Sequence, residues 1–342
     1  MTKRILVTGG AGYIGAHAVL ELIEEGFEPV ILDNFSTGHR YATQGCEVIE
    51  ADLRDKAEID SALTSRRYDG VMHFAAKSIV GDSMRSPLDY FENNVTGSLN
   101  LINAALKGEV EHFVFSSTAA VYGEPESIPI TEAHTLAPIN PYGQSKRMIE
   151  VMLTEAFRAN GLRSISFRYF NAAGAAPEAG VGENHQPETH LIPNVLRSCF
   201  SDSSGSRLKV FGNDYETRDG TCVRDYIHVR DLADAHVKGM NHLFHNATAD
   251  QINLGTEHGA TVLEVIKACE QATERPIEYD VEEKREGDPA ILVADNGKAK
   301  DLLSWTPKAS LFECVSDAWQ WHLDTADNRL RSQRKTPYRK RS

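Results

Sequence analysis

Tyr142 and Lys146 stand four residues apart, the spacing that places two side chains on one face of a helix. A lysine ammonium beside a phenol favours the phenolate and draws a tyrosine pKa down from about 10. A tyrosine so placed can accept a proton from an alcohol. His112-Phe113-Val114-Phe115-Ser116 reads as a short apolar strand, and it delivers Ser117 and Thr118 at its end as hydroxyls able to share that proton. Because Y-x-x-x-K also arises by accident, an exposed Tyr-Lys pair on an ordinary helix is the competing reading of this spacing alone.

The N-terminal segment changes that balance. Arg4-Ile5-Leu6-Val7 has strand character and runs into Thr8-Gly9-Gly10-Ala11-Gly12-Tyr13-Ile14-Gly15, after which Ala16 to Glu25 has helical periodicity. In such a unit Gly9 permits the tight turn, Gly12 lets backbone approach a pyrophosphate, and Gly15 lets the helix close on the strand. The free N–H groups and the positive end of the helix dipole then face the phosphates. A glycine motif of this kind is weak by itself, but a second strand, Pro29-Val30-Ile31-Leu32, ends at Asp33, where an acid meets the hydroxyls of an adenosine ribose. A carboxylate there repels a 2′-phosphate. Asn34, Phe35, Ser36 and Thr37 include no arginine to receive one, so NAD is expected rather than NADP, with His39 and Arg40 the nearest basic residues.

The 342 residues suffice for a large core and two lobes. No apolar run approaches about 20 residues, and the first apolar segment is a strand rather than a signal peptide, so a soluble cytoplasmic protein off the membrane is expected. Cys46, Cys199, Cys222, Cys269 and Cys314 are scattered without a C-x-x-C pair, which reads as reduced and structural. The thirteen histidines form no H-E-x-x-H; His185, His190, His242 and His245 read as loop or surface residues without acidic or thiol partners at ligand spacing, and no metal is expected. A net charge of −13 excludes the basic footprint of a nucleic-acid binder. The exception is the tail from Arg329 to Ser342, with seven Arg or Lys residues and no acid, the pattern of a solvated, disordered end. The sequons at Asn94 and Asn246 carry no weight without a secretory signal.

The elements that must position these side chains alternate through the first 170 or so residues. Strands at Glu47-Val48-Ile49, Gly70-Val71-Met72-His73-Phe74 and Ser164-Ile165-Ser166-Phe167-Arg168-Tyr169 join those already named. An α/β fold with a Rossmann-type, doubly wound parallel sheet follows, in which ligands sit beyond the carboxyl ends of the strands. Asp33, Asp52, Phe74, Thr118 and Tyr169 to Asn171 lie at or just past such ends, so they should meet in one crevice. After Asn171 glycine, proline and polar residues dominate to about Gly220, with Ser201 to Ser206 an exposed loop. Residues 1–172 are expected as the dinucleotide domain, to which a helix from 229–245 returns, with 173–328 mainly a smaller substrate lobe and 329–342 the tail.

Taken together these segments resemble the extended short-chain dehydrogenase/reductase family, and within it the enzymes that epimerise UDP-hexoses at C4. The resemblance is carried by Thr8 to Gly15, His73-Phe74-Ala75-Ala76, Asn93-Asn94-Val95, Phe115 to Thr118, Pro141 to Lys146, Arg168-Tyr169-Phe170-Asn171, Phe211 to Tyr215, Val223 to His228 and Arg285-Glu286-Gly287-Asp288. The glycine turn and Y-x-x-x-K mark only the broad family; the later segments point to the epimerases. The resemblance implies interconversion of UDP-glucose and UDP-galactose through a transient 4-keto sugar, an isomerase of galactose metabolism using NAD, and side activity on UDP-N-acetylhexosamines or UDP-pentoses. It implies Tyr142 as proton acceptor, Thr118 as its hydrogen-bond partner and Lys146 as the holder of the tyrosinate and the nicotinamide ribose.

For the cofactor the resemblance implies Tyr13, Ile14, Asp33, Asn34, Phe35, Ser36, Thr37, Gly38, Asp52, Leu53, Phe74, Ala75, Ala76, Lys77, Ser78, Asn93 and Phe170 beside Gly9, Gly12 and Gly15. For the UDP-sugar it implies Asn171, Arg224 and Arg285 near the phosphates, Asp288 at the uridine ribose, and Lys209, Val210 and Phe211 along the uracil. It also implies a homodimer through the helices that follow Pro87 and Tyr142. Three positions depart from common family residues: Ser78 stands where many members carry lysine, with Lys77 next door; His190 replaces the substrate-contacting asparagine of some members and is expected among the substrate residues as a donor to a phosphate; and Leu292, at a position that lines the sugar pocket, stands where tyrosine is often found. A 4,6-dehydratase or decarboxylase shares the C4 oxidation, but a dehydratase needs an acidic pair after Thr118, where Ala119-Ala120 stand. A non-catalytic NAD-binding regulator would need none of Thr118, Tyr142 and Lys146.

Overall fold

The computed structural model describes residues 2–200, 207–285 and 289–334. Its strands are Arg4–Thr8 (β1), Glu28–Asp33 (β2), Glu47–Glu50 (β3), Gly70–His73 (β4), His112–Ser116 (β5), Arg163–Tyr169 (β6), Asn171–Ala173 (β7), Leu208–Phe211 (β8), Val223–Arg224 (β9), Tyr226–His228 (β10), Ala249–Leu254 (β11), Ala260–Thr261 (β12), Tyr279–Glu282 (β13) and Ile291–Leu292 (β14). Its helices are Tyr13–Glu24 (α1), Lys56–Thr64 (α2), Val80–Arg85 (α3), Pro87–Tyr90 (α4), Gly97–Lys107 (α5), Pro141–Asn160 (α6), Leu191–Ser198 (α7), Val229–His245 (α8), Val262–Thr273 (α9), Gly297–Leu303 (α10) and Leu311–Arg334 (α11). A π-helical stretch, Phe91–Thr96, joins α4 to α5.

Seven parallel strands form the main sheet in the order β11-β6-β5-β4-β1-β2-β3. Side chains of a strand alternate between faces. Ile5 and Val7 therefore join Met72, Val114, Ile165 and Phe167 under α1 and α8, whereas Leu6 joins Val30, Val71, Phe113 and Phe115 under α2, α5 and α6. Both faces are covered, which is why the strands read as continuous apolar runs. The doubly wound sheet expected from sequence is present.

Two boundaries differ from the sequence reading. Strand β11 pairs with β6 along Ala249 to Leu254, and Trp305 is fully buried in the same core as α1 and α8, so segments well beyond residue 172 belong to the main sheet layer. Ala-Asp-Gln-Ile-Asn-Leu is too polar to announce a strand, and only its last residues are buried. The basic tail was expected to be unstructured from Arg329, but α11 continues to Arg334; the remaining residues lie outside those described. The smaller layer gathers α7, α9 and α11 around Val195, Val265, Cys269 and Val315, with β8–β13 and β12-β9-β14 as small sheets at its side. Ser201 to Ser206, read as an exposed loop, falls outside the described residues.

Candidate active site

Helix α6 carries the tyrosine and the lysine at its start because Asn140 caps it, accepting from the Gly143 N–H at 2.8 Å, while Pro141 takes a first-turn position that needs no donor. Lys146 is buried and donates from Nζ to the Ser116 carbonyl at 2.8 Å. Its ammonium lies 4.9 Å from the Phe115 ring centroid and 5.9 Å from that of Tyr142. Thr118 follows β5, and its Oγ1 accepts from the Ala120 N–H at 3.2 Å.

The electrostatics depart from the sequence expectation. Burial pushes the Tyr142 phenol above its ordinary value, and the Thr118 hydroxyl that hydrogen-bonds it is what pulls it down. Lys146 does not act on it here, because its Nζ is turned to the Ser116 carbonyl and burial itself lowers the lysine to about 7, against the opposing charge of Glu150. The lysine is thus a group poised between charged and neutral forms rather than a fixed ammonium.

Beneath this pair lies a buried network that the sequence reading did not single out. Glu150, on α6 one turn past Lys146, accepts from Arg168 Nε at 2.8 Å and Nη2 at 2.7 Å, and from the Ser117 hydroxyl at 2.7 Å. Arg168 Nη1 donates to the Tyr122 hydroxyl at 3.0 Å, which donates to Asn253 Oδ1 at 2.6 Å. The fork geometry and the shared burial fasten α6 to β5, β6 and β11. Ser116 also hydrogen-bonds the Tyr169 hydroxyl.

On the other side of the strand ends, Gly9 has φ +70°, and a Cβ there would lie 2.6 Å from the Ala75 nitrogen. The turn and the Phe74-Ala75 loop are in direct contact, with both loop N–H groups on the Thr8 carbonyl. A Cβ on Gly15 would meet the Gly9 carbonyl oxygen at 2.1 Å, so α1 can sit on the turn only without one. Helix α1 starts without a side-chain cap and without an acid in its first turn, leaving its N–H groups for an anion. Asp33 faces this turn, accepting from the Ala11 N–H at 3.0 Å and the Phe35 N–H at 2.8 Å. These residues fit the pyrophosphate and adenosine ribose of a dinucleotide.

The residues around Asp33 also answer the choice of nucleotide. Arg40 pairs with Glu50 at 2.5 Å and lies over the Phe35 ring, and His39 hydrogen-bonds the Asn184 carbonyl, so both basic residues are committed away from a 2′-phosphate. Asn34 donates to Asp52 at 3.0 Å, and Arg54 holds the Asp52 carboxyl below the usual carboxylate range. The Ser36 N–H donates to Asn34 Oδ1, Gly38 packs on Asp33, and Leu53 is buried with its carbonyl accepting from Asn100. Thr37 lines a small pocket with Gly12 and Tyr13, whose hydroxyl donates to the Gly174 carbonyl at 2.7 Å, and Ile14 packs into the core.

Lys77 differs from the expected cationic contact: its ammonium pairs with Asp89, and its backbone is pinned by Asn94. Asn94 is fully buried and bonds Ser145 on α6 at 3.0 Å, so it, with Asn93 donating to it, ties the loop from Phe74 through Ala76 and Ser78 to α6.

A cavity of about 670 Å³ adjoins the strand ends and gathers Asn171, His190, Lys209, Val210, Phe211, Arg224 and Arg285. Arg285 lies 3.9 Å over the Phe211 ring, Arg224 Nη1 donates to the Pro289 carbonyl at 2.9 Å, and Lys209 pairs with Glu282 at 3.0 Å. Asp288 lies outside the described residues. Phe170 and Leu292 pack instead with Ala119, Val121 and Tyr122, just past Thr118. Phe170-Asn171 thereby runs from the tyrosine's strand end to the cavity.

His185 and His190 correct the reading that they lack acidic partners. His190 Nδ1 lies 2.6 Å from Glu183 and 3.0 Å from Glu188, and His185 Nδ1 lies 3.0 Å from Glu183. Alternate residues of Glu183-Asn184-His185 and Glu188-Thr189-His190 turn to the same side, a pattern of period two unlike the helical spacing of H-E-x-x-H. These partners push His190 up to about 10 against its burial and lower Glu183 to about 2.

The model of the NAD-dependent epimerase/dehydratase family matches residues 5–255. The chain belongs to that family. A UDP-glucose 4-epimerase of Rhizobium leguminosarum bv. trifolii is 48% identical over 320 residues, 94% of this chain and 97% of that protein. A crystal structure of a UDP-glucose 4-epimerase superposes with a TM-score of 0.91 at 45% identity, covering 95% of this chain and 99% of that one. A UDP-glucose 4-epimerase of Bifidobacterium longum, solved with NAD+ and UDP, gives 0.88 at 35% identity over 95% of this chain and 99% of its own. The family's cofactor is NAD, in keeping with the turn, Asp33 and the two diverted basic residues.

Proposed function

We propose that this protein interconverts UDP-glucose and UDP-galactose by NAD-dependent oxidation and reduction at sugar C4. The observation that carries the reading is the adjacency of three things: Tyr142 with Thr118 and Lys146, the glycine turn with Asp33, and a cavity holding Arg224, Arg285 and Lys209. Tyr142 takes the proton from the 4-hydroxyl and later returns it, with Thr118 sharing the hydrogen bond. NAD, when bound, supplies the acceptor and then the donor of the hydride. Lys146 offers a cation at about neutral pH beside the phenol, and it is the group that would favour the tyrosinate once ligands fill the crevice.

Epimerisation needs a firm hold on the diphosphate and a weak one on the hexose, so that a 4-keto sugar can turn its other face. Arginine forks supply the first. Ala119, Ala120 and Leu292 beside Thr118 offer the hexose no hydrogen bonds, which supports the second and leaves no acid there to expel water. UDP-glucose and UDP-galactose are the main substrates in this reading, with weaker turnover of the N-acetylated pair. Incubation with UDP-galactose and no added NAD should yield UDP-glucose, with NAD released on denaturation. A dehydrated or decarboxylated product, or no turnover even with NAD supplied, would count against it.

A homodimer belongs to the same reading. Met84, Leu88, Leu99, Met148 and Val151 are exposed apolar side chains carried by α3, α4, α5 and α6, the helices after Pro87 and Tyr142 included. Leu88→Asp should shift the protein from dimer to monomer on size analysis at micromolar concentration; a wild type that runs as a monomer there sinks the dimer. All five cysteines are free, which supports a reducing, cytoplasmic setting. Among the described residues no helix is long and apolar enough to cross a membrane.

A further inference from the structure

We propose that Glu183, His185, Glu188 and His190 form a site for a divalent first-row transition-metal ion, zinc above all, that acts as a structural clamp. One ligand atom from each side chain lies within 4.8 Å of all the others. Four ligands at tetrahedral zinc stand about 3.4 Å apart for bonds of roughly 2.1 Å, so small side-chain rotations would bring this set to the metal. Two carboxylates with two neutral imidazoles balance a dication, and a mixed N/O donor set suits zinc better than calcium or magnesium.

The cluster differs from an ordinary acidic surface. The Glu183 and Glu188 side chains are only 7% and 1% exposed. Glu188 Oε2 is buried and makes no hydrogen bond, and Arg197 pairs with it only at 3.6 Å. Its Oε1 accepts from the Thr189 and His190 N–H groups at 2.8 and 2.9 Å, which fixes the carboxylate's position at the start of α7. The same Oε1 faces His190 Nδ1 at 3.0 Å, so the carboxylate stands at the cluster while its second oxygen is buried without a hydrogen bond of its own.

The site joins parts of the molecule that the reaction needs in register. Gly182 is pressed on Trp321, where a Cβ would come within 2.4 Å of the indole, so α11 holds the segment that presents Glu183. His185 stacks edge-on against Tyr13 of the dinucleotide turn at 6.3 Å. His190 begins α7, which walls the nucleotide cavity. The ion would therefore fasten one wall of that cavity to the dinucleotide turn. With four protein ligands and none of Tyr142, Thr118 or Lys146 among them, the site is closed and takes no part in proton transfer.

The test uses the full chain. Purified protein, dialysed without chelator, should hold about one zinc per chain by atomic emission. Protein stripped by a strong chelator should take up Zn2+ one-to-one in calorimetry, with release of protons from the histidines. His185→Ala and Glu188→Gln should each weaken that uptake at least about tenfold while bound NAD is retained. Should either variant fail to fold, Co2+ added to stripped wild type should give the intense ligand-field bands of a four-coordinate site. Near-zero zinc together with no saturable uptake, or equal uptake by wild type and a folded double variant, would overturn the site and leave His190 as a protonated bridge between two carboxylates.

Discussion

At the scale of single residues the site depends on a tyrosine whose environment opposes its ionisation. Burial raises Tyr142 while Thr118 lowers it, so the phenol is a strong base once deprotonated and a poor acid otherwise. Tyr142→Phe should cut turnover by about 10²–10⁴ while leaving UDP affinity nearly intact, since in the proposed reaction the nucleotide is held by the arginines of the cavity. Turnover near wild type in steady-state assays would remove Tyr142 from the mechanism. In the proposed reaction Leu292 is expected to set pocket width: it packs with Ala119, Tyr122 and Phe170 at the strand end that carries Thr118. Leu292→Tyr should depress turnover of UDP-N-acetylglucosamine more than that of UDP-glucose, by the roughly 1–3 kcal/mol that a change of one or two groups in a pocket commands. Equal loss on both substrates would show that Leu292 does not gate the sugar. Both residues were nominated from the sequence, Tyr142 by its spacing to Lys146 and Leu292 by family resemblance alone. The Lys146–Ser116 hydrogen bond was not, because a backbone acceptor leaves no mark in the sequence.

At the scale of elements, α6 is held by contacts that its sequence did not advertise. Glu150 reads as one more solvated acid on a helix, yet it is fully buried against Arg168. Only the topology explains this: β6 lies next to β5, so a residue one turn past Lys146 faces the strand that carries Arg168. Removing one partner of a buried pair strands the other charge in low dielectric. Glu150→Ala should therefore cost about 3–5 kcal/mol in urea unfolding and lower turnover by loosening Tyr142, whereas Arg158→Ala on the exposed end of the same helix should cost about 0–1 kcal/mol. Similar losses for the two would show that the network does not anchor α6. Strands β1, β2, β4 and β5 were legible because burial on both faces makes them largely apolar. Strand β11 was not, since an edge strand of mixed residues looks like loop until its partner is known.

At the scale of the whole molecule, three histidines are built into the core as neutral rings. His73 is hydrogen-bonded by Thr8 at 2.7 Å and Ser98 at 2.8 Å between β1 and α5, and burial with the nearby Lys146 lowers it to about 3. His236 on α8 lies among Phe74, Phe167 and Tyr169, and His17 on α1 sits near Arg230; burial lowers each to about 4. In the unfolded chain all three take up protons near pH 6.5, which the folded chain refuses until much lower pH. Their contribution is thus whole above about pH 6.5 and is lost as the pH falls towards 4. His190, raised to about 10, and Lys146, lowered to about 7, act mainly on the pH dependence above about 6; towards pH 5 both are charged in the folded and the unfolded chain and add little to the slope. Each histidine should cost roughly 2 kcal/mol at pH 5, a large share of the stability of a folded domain. Urea midpoints measured from pH 6 down to pH 5 should fall, and His236→Gln should remove about a third of the fall. A midpoint that stays level down to pH 5 would mean that these rings are already charged in the fold, and that the two faces of the sheet tolerate a cation at their centre.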